Sequence, residues 1–276
     1  MAWATQGQSE KLRLGKVINN TAAFLGRNLM LLLVFGVLFF VLPALLASLG
    51  TYWYWSRLPL IGCGGEGAAE AFMLASVLLP TALNFVGYAV LSRATLDGIK
   101  GDRPSVGDCI QAALRYSLPI AGIGFAIYLA VFFAGYAMLR NGLATPSEAL
   151  AAFAVIIAPF IPWGLGISVA VPVAIQEGLG VRASISRSRA LTNGHRWPIS
   201  SLFLVVIVLF VVRQVAVLSV STALTSVSAL IVVALLDILV WAMIWMVTSI
   251  AITVTYIELR RIKEGASTGE LAEMFS

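Results

Sequence analysis

Charge is the scarcest property of this sequence. Only 11% of its residues are Asp, Glu, Lys or Arg, against about 25% in a typical soluble domain. The chain therefore lacks the polar surface to cover itself in water. Histidine occurs once, at His195, and cysteine twice, at Cys63 and Cys109. Neither cysteine has a Cys or His neighbour at metal-ligand spacing, so no metal site and no cofactor is expected. Catalysis within a membrane needs a carboxylate pair, a His-based motif, or a Ser with His or Lys at depth. None is legible, so no catalytic residue is assigned. The Gly-rich run Gly62-Cys63-Gly64-Gly65-Glu66-Gly67 lacks a following Gly-Lys-Ser/Thr, which excludes a phosphate-cradling loop.

Long apolar runs are what the chain has instead; 60% of its residues are hydrophobic. Asn28 to Ser56, Ala71 to Ser92, Tyr116 to Leu139 and Ala149 to Gln176 carry no charge, and Trp197 to Ile257 carries only Arg213 and Asp237. A bilayer crossing takes about 20 apolar residues. The windows predict an all-α integral membrane protein of one polytopic domain with six spans, near 29–49, 71–92, 117–139, 150–176, 198–221 and 229–257. The first 28 residues are polar and the apolar run after them is longer than a signal-peptide core, so that run reads as an uncleaved first helix.

Basic residues set the orientation. All but Arg57, Arg140 and Arg213 of the 18 Lys and Arg residues fall on the N-terminal tail, 93–116, 177–197 or the C-terminal tail. With six spans these segments share one side, so both termini are expected in the cytoplasm of a plasma (inner) membrane. The two cysteines then lie on opposite sides, which excludes a disulfide between them. The net charge of +5 becomes a cytoplasmic-face charge. It points to anionic lipid rather than nucleic acid, at about 1 kcal/mol per juxtamembrane Lys or Arg.

Amphipathic segments accompany that basic face, at about 10–27, 104–116 and 180–194. In the first, Leu14, Val17, Ile18, Thr21, Phe24 and Leu25 share a helical face, as expected of a helix lying in the interface. Three such segments, each followed by two spans, predict a threefold repeat. Two unit ends match as Tyr-x-x-Leu-x-Arg, at Tyr88 to Arg93 and Tyr256 to Arg261. The outer segment 50–70 opens with Thr51-Tyr52-Trp53-Tyr54-Trp55, an aromatic cluster suited to the membrane–water boundary, and is expected to be a loop. Prolines punctuate the spans, with Pro159, Pro162 and Pro172 in the fourth; broken helices of that kind line transporter sites.

The run from Pro172 to Pro198, PVAIQEGLGVRASISRSRALTNGHRWP, carries a resemblance. Its Glu177 and Gly178, Ala183, Arg187 and Ser188, Leu191, Thr192, Gly194 and Trp197 resemble the signature of a bacterial multi-pass family related to the membrane domain of glycerophosphoryl diester phosphodiesterase. The tail Tyr256 to Gly265 fits the same style. The resemblance implies fold and membrane location. It does not imply hydrolase activity, because the family's soluble, carboxylate-rich barrel has no counterpart here.

Two groups of residues are the candidate sites. Arg213 and Asp237 lie 12 residues on either side of Thr225, the expected hairpin apex. That places them at matching depth, roughly 10–15 Å below the outer surface, as an intramembrane ion pair. Charges within a span usually face the protein interior or water. Glu177, Arg182, Arg187, Arg189 and Arg196 form a candidate pocket for an anionic headgroup, since Arg binds phosphate bidentately. The function expected is non-enzymatic: organising the membrane or binding lipid headgroups through the basic face. Partners would be anionic membrane lipids, other membrane proteins or further copies of the chain. The alternatives are a small-molecule or lipid transporter, or a membrane subunit partnering a phosphodiesterase.

Overall fold

In the computed structural model the described residues are 12, 14–61, 66–99, 101, 105–115, 160–224 and 226–264. The expected span 117–139 and the start of 150–176 lie outside them. Helices account for nearly all of the described chain, with no strand among these residues.

Helix α1, Leu14–Arg27, buries Val17, Thr21 and Phe24 on one face. Asn28 interrupts it for a single residue, donating its side-chain amide to the Phe24 carbonyl at 3.2 Å. Asn competes with helix in this way through its own short side chain. Helix α2, Leu29–Gly36, then runs through a π-helical turn, Val37–Val41, into α3, Leu42–Ile61. Pro43 accounts for that turn. A proline cannot donate to the carbonyl four residues back, and its ring clashes with it. The wider turn absorbs the conflict, with the Leu42 N–H donating to Val37, five residues back.

The expected loop at 50–70 is corrected here. The helix continues to Ile61, and α4, Glu66–Ile99, begins almost at once. Between Gly50 and Pro59 no residue breaks a helix, and intrahelical bonds satisfy the backbone whether or not hydrocarbon surrounds it. Helix α4 carries Pro80 inside and buries its second half, from Tyr88 to Leu91 and through Thr95. Close packing there depends on two glycines. A Cβ on Gly87 would stand 2.6 Å from the Phe39 Cβ, and one on Gly98 would stand 2.6 Å from the Phe24 ring.

Residues 106–115 form a short helix, α5. Then come α6, Phe160–Ile167, α7, Ala170–Glu177, and α8, Val181–Thr192. The expected fourth span is therefore not continuous. It breaks at Ser168 and Val169, which puts Pro172 in the first turn of α7, where no N–H is needed. The axis turns by 119° between the α6–α7 segment and α8.

Helices α9, Arg196–Ala223, and α10, Val227–Glu264, form the last hairpin. At 1.5 Å per residue α10 is about 57 Å long, nearly twice the bilayer core, so its charged last turns project well beyond hydrocarbon. Val205, Val212, Ile231 and Leu236 on this hairpin are each more than half exposed. Apolar surface on that scale has no place in water.

Leu29–Tyr52, Arg196–Val217 and Val227–Glu264 are long and apolar enough to cross a membrane, and the bent pair Gly164–Glu177 with Val181–Thr192 makes a fourth if it is one span. The protein is helical and membrane-embedded, with three or four candidate spans among the described residues. The core gathers at one end, where Val17, Leu91, Val173, Leu191, Ile199 and Leu259 pack together. Lys16, Arg93, Arg187, Arg260, Arg261 and Lys263 make their polar contacts around that part of the core.

Candidate functional site: the basic end of the helix bundle

The sharp corner between α7 and α8 is built by glycine. Gly178 takes φ 65° directly after Glu177, a left-handed conformation that ends a helix at little cost only for Gly. The turn brings Arg187 of α8 back onto Glu177, its Nε donating at 3.1 Å. The Tyr256 hydroxyl of α10 donates to the same carboxylate at 3.1 Å. Arg187 also pairs through Nη2 with Glu264, and Glu264 accepts from Arg260 Nε at 2.8 Å. Lys263 donates to the Ala190 carbonyl, a cation placed on the C-terminal turn of α8 where the helix dipole favours it.

Hydroxyls complete the contact of α8 with the core. Ser188 is fully buried and donates to the Gly166 carbonyl at 2.8 Å, so that carbonyl beside the α6–α7 break is occupied. Thr253 of α10 donates to Ser92 of α4 at 3.0 Å. On α1, Lys16 donates to Glu258 at 3.0 Å, and Arg261 approaches the same carboxylate at 3.7 Å. Arg93 pairs with Asp97 one turn along α4. Such half-exposed pairs hold geometry more than they add stability, at about 0–1 kcal/mol each.

These contacts divide the candidate headgroup residues. Glu177 and Arg187 are brought together and satisfy each other. Arg182, Arg189 and Arg196 are exposed and have no acidic partner among the described residues. Arg189 lays its stem across Gly166. Of the candidate residues, Arg182, Arg189 and Arg196 thus stand outside the internal ion-pair network. Local sequence spacing does not show Tyr256 and Glu264 as partners of this corner. Tyr256 was legible only as a repeat mark, because nothing in local spacing ties it to Glu177, 79 residues earlier.

The second candidate site lies in the hairpin. Arg213 Nη2 stands 2.5 Å from Asp237 Oδ2. The guanidinium carbon lies 4.9 Å from the Trp241 ring centroid, a cation–π contact worth about 0.5–2 kcal/mol. Trp241 packs edge-on against Phe210 at 4.9 Å and Trp245 at 5.7 Å. The pair thus sits in an aromatic setting, its side chains 15% and 20% exposed.

Cys109 on α5 is fully buried. Burial pushes its thiol up to about 11, and the Asp97 carboxylate adds to the effect. It is held as an unreactive thiol. Cys63 lies outside the described residues. Among the described residues no three His, Cys, Asp or Glu side chains stand together as a metal site.

No protein-family model matches the chain, and neither a curated protein nor a solved structure matches it.

Proposed function

We propose that this protein is a non-catalytic integral membrane protein that binds anionic phospholipid headgroups at its basic face. One observation carries the reading. Arg182, Arg189 and Arg196 are exposed with no acidic partner among the described residues, while Lys16, Arg187, Arg260 and Arg261 beside them are paired with Glu258, Glu177 and Glu264. An exposed arginine next to an apolar helix is a ready bidentate partner for a phosphate at the membrane surface.

The same proposal includes six spans with both termini in the cytoplasm of the inner membrane, arranged as three repeated hairpins. It also includes kinship with the family related to the phosphodiesterase membrane domain. Support for the repeat comes from the ends of α4 and α10. Tyr88 and Leu91 are buried in one, Tyr256 and Leu259 in the other, and each end carries an Arg–carboxylate pair one turn apart.

A transport path through the fourth helix is the second reading. The break at Ser168–Val169 favours it, and capture of the Gly166 carbonyl by Ser188 weighs against it.

The test is lipid selectivity. Purified protein is offered equal phosphatidylglycerol and phosphatidylcholine with identical chains, and bound lipid is counted by native mass spectrometry. A preference for phosphatidylglycerol is expected, and changing Arg182, Arg189 and Arg196 together to Gln should erase it. An unchanged preference in that variant rules out the headgroup site.

A further inference from the structure

A cavity of about 580 Å³ lies between α1, α9 and α10. Its walls are hydrocarbon: Val17 and Ile18 from α1, Leu202 and Val206 from α9, Met243 and Val247 from α10. Four hydroxyls also face it, and each is satisfied by a carbonyl three or four residues back in the chain. Thr21 donates to Val17, Ser168 to Leu165, Thr248 to Ile244 and Thr255 to Ala251. An occupant is therefore offered contact area and no hydrogen-bonding demand. The walls are also held in advance. Lys16 ties α1 to Glu258, and Phe24 wedges the same helix against Gly98.

Dimensions and charge choose the occupant. Along α9 the lining runs from Ile199 to Leu209, about 15 Å at 1.5 Å per residue. That is the hydrocarbon depth of one leaflet, half of a core about 30 Å thick. The groove starts two residues from Trp197, 88% exposed, an aromatic placed as interfacial tryptophans are. Two basic residues stand at its mouth: Lys16, next to Val17 and paired with Glu258, and Arg196, one turn before Ile199. Arg196 has no acidic partner among the described residues. A hydrocarbon slot one leaflet deep, with an unneutralised guanidinium at its surface end, is complementary to a chain bearing a phosphate.

We propose that this groove seats one acyl chain of an anionic phospholipid from the leaflet at the basic end, with Arg196 at its phosphate. The inference rests on the headgroup reading for the identity of the lipid, but it makes a separate claim: the chain is bound as well as the headgroup. α1 then serves as the groove's third wall, so lipid occupancy and docking of the interface helix are coupled.

Two variants fill the slot. Ala251→Phe does so from α10. Ile18→Trp acts at a side chain already 58% exposed and keeps the test decisive if Ala251→Phe does not fold. Wild type and variants, checked for folding by size exclusion, are given phosphatidylglycerol or phosphatidylcholine with the same chains in detergent. Retained lipid is counted by native mass spectrometry, with glycerol 3-phosphate as a chain-free competitor. Filling the groove is expected to lower retention of both lipids by about tenfold, leaving the preference between them intact. Glycerol 3-phosphate should displace little.

Wild-type retention in a folded filled variant overturns the groove, and the headgroup reading is then judged separately on the triple Gln variant. Full displacement by glycerol 3-phosphate overturns it too, because the chain would then contribute nothing. A dimer that forms without lipid and is lost on filling shows the occupant to be a second copy, which is the third outcome against the proposal.

Discussion

Arg213 and Asp237 face each other across the last hairpin, 24 residues apart in the chain and 2.5 Å apart in space. Neither charge is free to leave, because each is carried on a helix whose neighbours are apolar. Removing one partner leaves the other uncompensated, at about 3 kcal/mol. Arg213→Ala or Asp237→Ala alone should therefore destabilise strongly. The double variant should be less destabilised than the two single losses combined. Thermal unfolding in detergent measures this, and a double variant whose loss equals the sum of the two single losses would show that the two residues act independently.

Glu177 is held by two donors of unequal strength. Tyr256→Phe removes a neutral hydroxyl and should cost about 1 kcal/mol. Glu177→Gln removes the anion from Arg187 and weakens both contacts, so it should cost more, about 2 kcal/mol. The order of the two unfolding temperatures tests the arrangement; a larger loss for Tyr256→Phe would put the centre of the corner elsewhere.

Gly87 and Gly36 look alike in the sequence and should behave differently. A methyl group on Gly87 meets the Phe39 Cβ at 2.6 Å and the Phe40 ring at 2.9 Å. Neither can move without shifting a buried helix, so Gly87→Ala should cost about 1–3 kcal/mol. A methyl group on Gly36 meets the Met246 sulfur, the far end of a flexible side chain, and Gly36→Ala should cost less. Equal losses would refute the close packing of the π-helical turn on α4.

Cys109 yields a pH-dependent prediction. Its thiol is raised to about 11 by burial and then by Asp97, so the neutral form persists well above the ordinary cysteine range. In a Cys63→Ser background, the maleimide reaction rate should be slow at pH 8. It should keep climbing with pH to about 11, rather than levelling near 8.5. Denatured protein should level at the ordinary value. A native plateau near pH 8.5 would place the thiol in water.

Residues 50–70 are helical on both sides of 62–65, where a loop is expected from the sequence. Charge-free windows measure hydrocarbon thickness, and they end where a bilayer would end. A helix has no such limit, because its backbone bonds are internal, so α3 runs on to Ile61 and α4 starts at Glu66. Prolines mark the fourth span as a broken helix, but they do not place the break at Ser168. Pro172 was visible, but whether proline kinks a helix or starts one depends on how the chain ahead of it packs.

What the sequence determined by itself was class and material: a chain too poor in charge for water, whose apolar runs leave helix as the way to satisfy the backbone in lipid. These are local properties, written in composition and spacing. Which arginines are bound and which are free was decided only by tertiary structure. Arg182, Arg187, Arg189 and Arg196 are equivalent in one dimension. Arg187 is consumed because a left-handed Gly178 folds α8 back onto Glu177 and the end of α10, and the other three are left facing outward. Electrostatic pairing depends on distance in space, and the chain closes that distance only when helices far apart in sequence pack together.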